Sequence, residues 1–151
     1  MITCYFEKTK KKVYLRHVVV DMLVVKGNKI LLVKRAGPKW YLEVGKWAMP
    51  GGFLDRDETG AQAAVRETRE ETGYETIMVK LLRIIDNPNR PHEDRQNVSL
   101  VYLLKPIKKV SGHGGEISEI KWFDLDKLPP TKFFAFDHLE TIRQFIAGLD
   151  K

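Results

Sequence analysis

Four glutamates stand at a telling spacing between Gly52 and Tyr74: Glu58, then Glu67, Glu70 and Glu71. The last three follow one another at i, i+3 and i+4, so on an α-helix they share one edge. Like charges at that spacing repel and weaken a helix. A multivalent cation that neutralises them removes the conflict. An oxygen-only carboxylate cluster suits Mg²⁺ or Mn²⁺, and Mg²⁺ is typically held by a few carboxylates together with substrate phosphates. The residues therefore point to metal-assisted chemistry on a phosphorylated substrate.

The elements that must present this edge can be read around it. Thr59 with Gln62 three residues on makes a capping box, and Gly73 is placed as the glycine just past a helix end. That frames a helix over 60–72 with Ala61, Ala64, Val65, Thr68 and Thr72 as its buried stripe. Upstream, residues 16–35 read as a β-hairpin, two β-branched runs about a Gly27-Asn28 turn. Residues 36–51, with Gly37, Pro38, Gly45, Pro50 and Gly51, predict a loop holding a short strand around Trp47. Downstream, Val79–Ile85, Asn97–Leu104 and Ile117–Phe123 read as strands, with a polar, proline-bearing loop between the first two. Asp137 and Glu140 read as an aspartate capping box opening a last helix with Leu139, Ile142, Ile146 and Leu149 as its stripe. Interleaved strands and helices place the chain in the mixed α/β class.

With 151 residues, 43% hydrophobic and 30% charged, the chain reads as one globular domain over 1–151. No apolar run reaches the ~18 residues that a membrane span needs, and the opening lacks the apolar core of a secretory signal. The single cysteine, Cys4, excludes an internal disulfide and any multi-cysteine zinc site, which fits a reducing cytoplasm. Net charge is +6, with Lys8, Lys10, Lys11 and Lys12 bunched near the start. A basic rim can steer anionic substrates, and no nucleic-acid-binding signature accompanies it. His17, His92, His113 and His138 lack mutual metal spacing and read as structural. Trp40, Tyr41 and Trp47 read first as packing residues, with base stacking the alternative.

From Gly52, through Glu58, Arg66-Glu67 and Glu70-Glu71, to Gly73-Tyr74, the stretch resembles the Nudix box of the Nudix hydrolase family. Thr68 departs from it, standing where an apolar residue is usual. Trp47 to Gly52 and Ile120 to Phe123 are similar to the family's lead-in and late strand. The resemblance implies an α/β/α sandwich with a mixed sheet and hydrolysis of a nucleoside diphosphate linked to another moiety. It implies Glu67, Glu70, Glu71 and the Gly51 carbonyl as ligands of Mg²⁺ or Mn²⁺, with Glu67 or Glu70 also a candidate base. It further implies Arg66 as the residue orienting the glutamates and Glu58 as a supporting carboxylate. Glu116, in a glycine-rich loop six residues before Trp122, matches an extra carboxylate that some members use, with Glu119 as rival.

Asp86 to Pro91 resembles the segment after the box in ADP-ribose pyrophosphatases. Arg35, Pro88 and Arg90 are accordingly expected to meet substrate. ADP-ribose, cut to AMP and ribose 5-phosphate, is the first expectation, and cleansing of oxidised nucleoside triphosphates the second. A nucleotide-sensing domain without catalysis is the non-enzyme alternative. The expected partner is a small-molecule nucleoside diphosphate, with neither membrane nor nucleic acid, and a homodimer remains open.

Overall fold

The computed structural model describes residues 2–38, 41–90, 96–112 and 114–149. Trp40, Pro91, His92 and His113 lie outside the described residues. The chain opens with a two-stranded hairpin, β1 (Ile2–Tyr5) and β2 (Lys12–Leu15), which the lysine-rich composition of this stretch concealed. Then come β3 (Val18–Lys26), β4 (Lys29–Arg35), β5 (Trp47–Ala48), β6 (Gly51–Phe53) and helix α1 (Gly60–Thr72). Two long strands follow, β7 (Tyr74–Ile85) and β8 (Val98–Lys109), before β9 (Ile117–Asp124), a 3-10 turn at Thr131–Phe133 and helix α2 (His138–Ala147).

These strands build a mixed sheet of order β5-β4-β3-β8-β7, with β6 beside β3 and β9 beside β4. Among the described strands β3 and β8 run parallel, Asp21 opposite Val101, and the other strand pairings of this sheet are antiparallel. Because strand side chains alternate between faces, the central strands feed two cores. Val20, Met22, Val24, Leu31 and Leu104 pack under Ala63 and Ala64 of α1. Leu23, Ile30, Leu32 and Val101 pack on the opposite face against Leu139 and Ile142 of α2, with Trp47 and Phe134. The result is the α/β/α sandwich. No helix among the described residues is long and apolar enough to cross a membrane.

Helix α1 spans the residues its punctuation predicts. The Thr59 side chain accepts the Gln62 N–H, Gln62 returns the bond to the Thr59 N–H, and Gly73 turns left-handed at φ 71° to close the helix on the Arg69 carbonyl. Its buried centre is Ala63, Ala64, Thr68 and Thr72, with Ala61 and Val65 on the margins. Thr68 replaces an apolar residue without leaving a stranded hydroxyl: its Oγ1 donates to the Ala64 carbonyl at 2.7 Å.

Strands β7 and β8 extend well past their apolar runs, since ladder pairing continues through Lys105, Pro106 and Lys108 with bulges that absorb the proline. The capping box expected at Asp137 does not form. No side-chain cap bond is made, and the carboxylate faces Arg90 instead. Leu149 lies beyond the end of α2 and is exposed.

Candidate active site

Helix α1 lays its acidic edge along β6, and the contact is close at one point. A Cβ on Gly52 would come within 2.2 Å of the Glu67 carboxyl carbon, so any larger residue there must push the Glu67 carboxylate aside. One residue earlier, the Gly51 N–H donates to Glu71 Oε2 at 2.9 Å. The Met22 N–H bonds to the Pro50 carbonyl and the Leu54 N–H to the Val18 carbonyl. Antiparallel alternation then makes Asp21–Gly51 a non-hydrogen-bonded pair. Both backbone groups of Gly51 are thereby turned away from β3, toward the side where Glu71 lies.

Arg66 organises the rest. Its guanidinium donates to Glu58 at 3.1 and 2.6 Å, to Glu67 at 2.8 Å, to Glu70 at 3.3 Å and to the Phe53 carbonyl at 3.1 Å. One cation thus spans three carboxylates, using the planar fork that a lysine lacks. The Arg66 bond pulls Glu58 below the usual carboxylate range. Burial pushes Glu67 up despite Arg66. Glu71 is deeper, and burial pushes it up to about 8 against the pull of the Gly51 N–H. Glu67 and Glu71 are thus carboxylates whose charge burial disfavours.

The donor set fits a hard divalent ion. Glu67, Glu70, Glu71 and the Gly51 carbonyl offer oxygen only, and a cation would offset the burial that pushes the Glu67 and Glu71 carboxyls up. Among the described residues no three acidic, histidine or cysteine side chains already converge as a cage. Arg66 and the Gly51 N–H hold these oxygens instead.

The edge borders a cavity of about 490 Å³ lined by Glu67, Glu70, Glu71, Gly51 and Gly52, the size of a small-molecule site. Arg35, Arg90 and Glu116 line it too. Arg35 donates to the Leu42 carbonyl at 3.2 Å and lies over the Phe136 ring. Arg90 is buried and grips Asp137 with two nitrogens. Pro88 sits on the exposed turn before it, outside the lining. Glu116 is exposed at the rim, whereas Glu119 pairs with Lys34 at 3.5 Å.

Among the lining residues that the sequence did not point to are Asp21, Phe136 and His138. Asp21 was visible as the one charge inside the apolar run of β3. Its face follows from the alternation that sends Leu23 toward α2, where Ser99 Oγ donates to its carboxylate. Tyr41, for which the sequence offers packing first and base stacking second, lines the cavity, as does His138, which reads as structural. Trp47 does pack in the core, edge-on to Phe123.

Known proteins give the same picture. A family model described as NUDIX domain matches residues 15–145. A protein of Methanocaldococcus jannaschii named ADP-ribose pyrophosphatase is 36% identical over 138 residues, 91% of this chain and 78% of that one. An oxidized purine nucleoside triphosphate hydrolase of Danio rerio is 32% identical over 78% of this chain and 72% of its own. Among solved structures, the NUDIX domain of Shewanella oneidensis NrtR, complexed with ADP ribose, superposes with a TM-score of 0.74 at 26% identity, covering 96% of this chain and 94% of that chain. With the glutamate edge of α1 set against Gly51 and the family model running through both cores, this chain belongs to the Nudix family and is a pyrophosphohydrolase.

Proposed function

We propose that the chain, acting as one domain over residues 1–151 in the cytoplasm, hydrolyses the diphosphate of ADP-ribose with Mg²⁺ or Mn²⁺, giving AMP and ribose 5-phosphate. The reading is carried by the likeness to the M. jannaschii ADP-ribose pyrophosphatase across nine-tenths of the chain. The oxygen-lined cavity supports it.

Glu67, Glu70, Glu71 and the Gly51 carbonyl would hold the ion. When bound it neutralises diphosphate charge, polarises phosphorus and acidifies water. The chain's own part is positional. Arg66 keeps Glu58, Glu67 and Glu70 from splaying, and Glu71 and Gly51 fix each other across α1 and β6. A water oxygen bonds to one phosphorus, the P–O bond to the bridging oxygen breaks, and the water's proton passes to a carboxylate of the Glu67, Glu70 and Glu116 group. Arg35 and Arg90 supply cationic walls for the anionic substrate.

Cleansing of oxidised purine triphosphates is the second reading, favoured by the D. rerio relative. The deciding experiment offers ADP-ribose, NADH, 8-oxo-dGTP and diadenosine polyphosphates with Mg²⁺ and identifies products by mass. ADP-ribose is expected to be the best substrate. A tenfold higher kcat/KM for 8-oxo-dGTP would install the second reading, and tight ADP-ribose binding without turnover would make the domain a sensor.

A further inference from the structure

We propose that His138, outside the carboxylate edge, is a positioning residue of this site: from the first turn of α2 it fixes the backbone of the Met49–Gly51 lead-in that presents the Gly51 carbonyl. The inference rests on the metal-dependent reading above and adds to it a residue that no part of the box contains.

His138 is 5% exposed and lines the cavity. Its Nδ1 accepts the Met49 N–H at 2.9 Å, a bond buried from water. A neutral imidazole that accepts at Nδ1 carries its proton on Nε2, and Nε2 lies 3.7 Å from Asp21 Oδ1. That same oxygen would be 2.6 Å from a Cβ on Gly51. His138 therefore bonds the lead-in directly at the Met49 amide and stands 3.7 Å from the Asp21 carboxylate, which borders Gly51.

The three residues of the lead-in are each pinned by a different element. Met49 N–H goes to His138 of α2, the Pro50 carbonyl accepts from Met22 of β3, and Gly51 N–H goes to Glu71 of α1. The chain before α2 runs alongside as well, with the Ala135 N–H on the Trp47 carbonyl. Asp137, the residue before His138, holds Arg90, another lining residue of the cavity. The start of α2 thus holds two separate parts of the cavity lining, Met49 and Arg90. A leucine would fill the same volume in an apolar core, but it would strand the Met49 N–H.

Asparagine separates the two roles, because its Oδ1 takes the place of Nδ1 as acceptor while the rest of the ring is lost. Two readouts independent of turnover are hydrogen exchange at the Met49 amide and Mn²⁺ affinity of the substrate-free protein. His138→Leu is expected to speed Met49 exchange and weaken Mn²⁺ binding about tenfold, the scale at which outer-sphere supports act. His138→Asn is expected to stay within about threefold of wild type on both. Should the leucine variant fail to fold, His138→Gln, with no acceptor at the Nδ1 position, takes its place with the same expected losses. A folded Leu or Gln variant with wild-type Mn²⁺ affinity, or an Asn variant as impaired as Leu, overturns the inference and leaves the hydrolase reading standing. A wild-type protein that binds no Mn²⁺ at millimolar concentration sinks that reading, and this inference with it.

Discussion

Glu71, in the last turn of α1, accepts the N–H of Gly51, the first residue of β6, at 2.9 Å. The bond fixes the depth at which the acidic edge meets the strand. It also holds a carboxylate where burial resists its charge. On the proposed metal-dependent reading, a divalent ion bound there would resolve that conflict and link catalysis to stability through one side chain.

Hydrolysis is accordingly expected to need Mg²⁺ or Mn²⁺, and Glu71→Gln or Glu70→Gln to lower kcat by at least ~10²-fold. Steady-state kinetics with and without chelator check this. Full activity in excess chelator, or near-normal turnover in both variants, would remove the metal assignment.

The pH dependence of stability follows from the same residue. The Glu71 carboxyl is pushed up to about 8 in the fold, against 4.5 as its ordinary value. A raised carboxyl favours the fold while protonated, so its contribution is complete below about pH 4.5 and is lost as pH climbs toward 8. In chelator, the wild type should lose several degrees of Tm between pH 5 and pH 8.5, and Glu71→Gln should flatten that slope. Added Mg²⁺ should raise Tm most at the alkaline end. Equal slopes in the two proteins would refute the linkage.

Arg66 is predicted to matter for fold and rate together. Arg66→Met leaves Glu58, Glu67 and Glu70 facing one another without their shared cation. A loss of about 2 kcal/mol in the metal-free protein is expected, with kcat down ~10²-fold. Because Mg²⁺ would supply part of the missing charge, saturating metal should recover stability more than rate. Arg66→Lys should rescue little, as an ammonium cannot reach Glu58 and Glu67 at once through a planar fork. Chemical denaturation beside kinetics measures both.

Where the sequence was legible, it was legible through local rules. The capping box at Thr59 and the left-handed Gly73 act within a few residues, so α1 could be bounded from its own letters. The glutamate edge followed from helical periodicity. What escaped depends on distant partners. Asp137 looked like a cap, yet Arg90, 47 residues away in sequence, holds its carboxylate. Burial pushes that carboxyl up, and the Arg90 bonds and charge bring it below its ordinary range. His138 faces Met49 across 89 residues, a pairing that only the stacking of α2 on the sheet creates. The charged ends of β7 and β8 were hidden because ladder pairing, rather than apolar alternation, extends them.

Two glycines of the box should fail differently. Gly73→Ala forces a side chain into φ 71° and within 2.1 Å of the Ser111 carbonyl, so it should lower Tm sharply. Gly52→Ala has no such backbone demand and instead displaces Glu67. Its kcat should fall at least tenfold with a smaller change in Tm. Reversal of that order would mean the close approach at Gly52 is a packing feature alone.

Glu116 and Glu119 give the last test, since they lie three residues apart and only Glu116 lines the cavity. Glu119 is engaged with Lys34 across the β4–β9 pair. Glu116 is exposed at the rim, and its backbone is held on both sides: its carbonyl accepts the Ala36 N–H at 2.8 Å, and the Gly114 N–H bonds to the Glu70 carbonyl at 3.0 Å. The loop is thus anchored to the end of α1 that carries Glu67, Glu70 and Glu71, while Glu116 lines the cavity. A carboxylate so placed can meet the attacking water once substrate fills the site. Glu116→Gln should therefore cut kcat at least tenfold while KM stays within a few-fold, because the lost interaction belongs to the transition state. Glu119→Gln should change kcat less than threefold. Equal and small effects would assign the proton to Glu67 or Glu70 and reduce the 111–116 loop to a wall of the cavity.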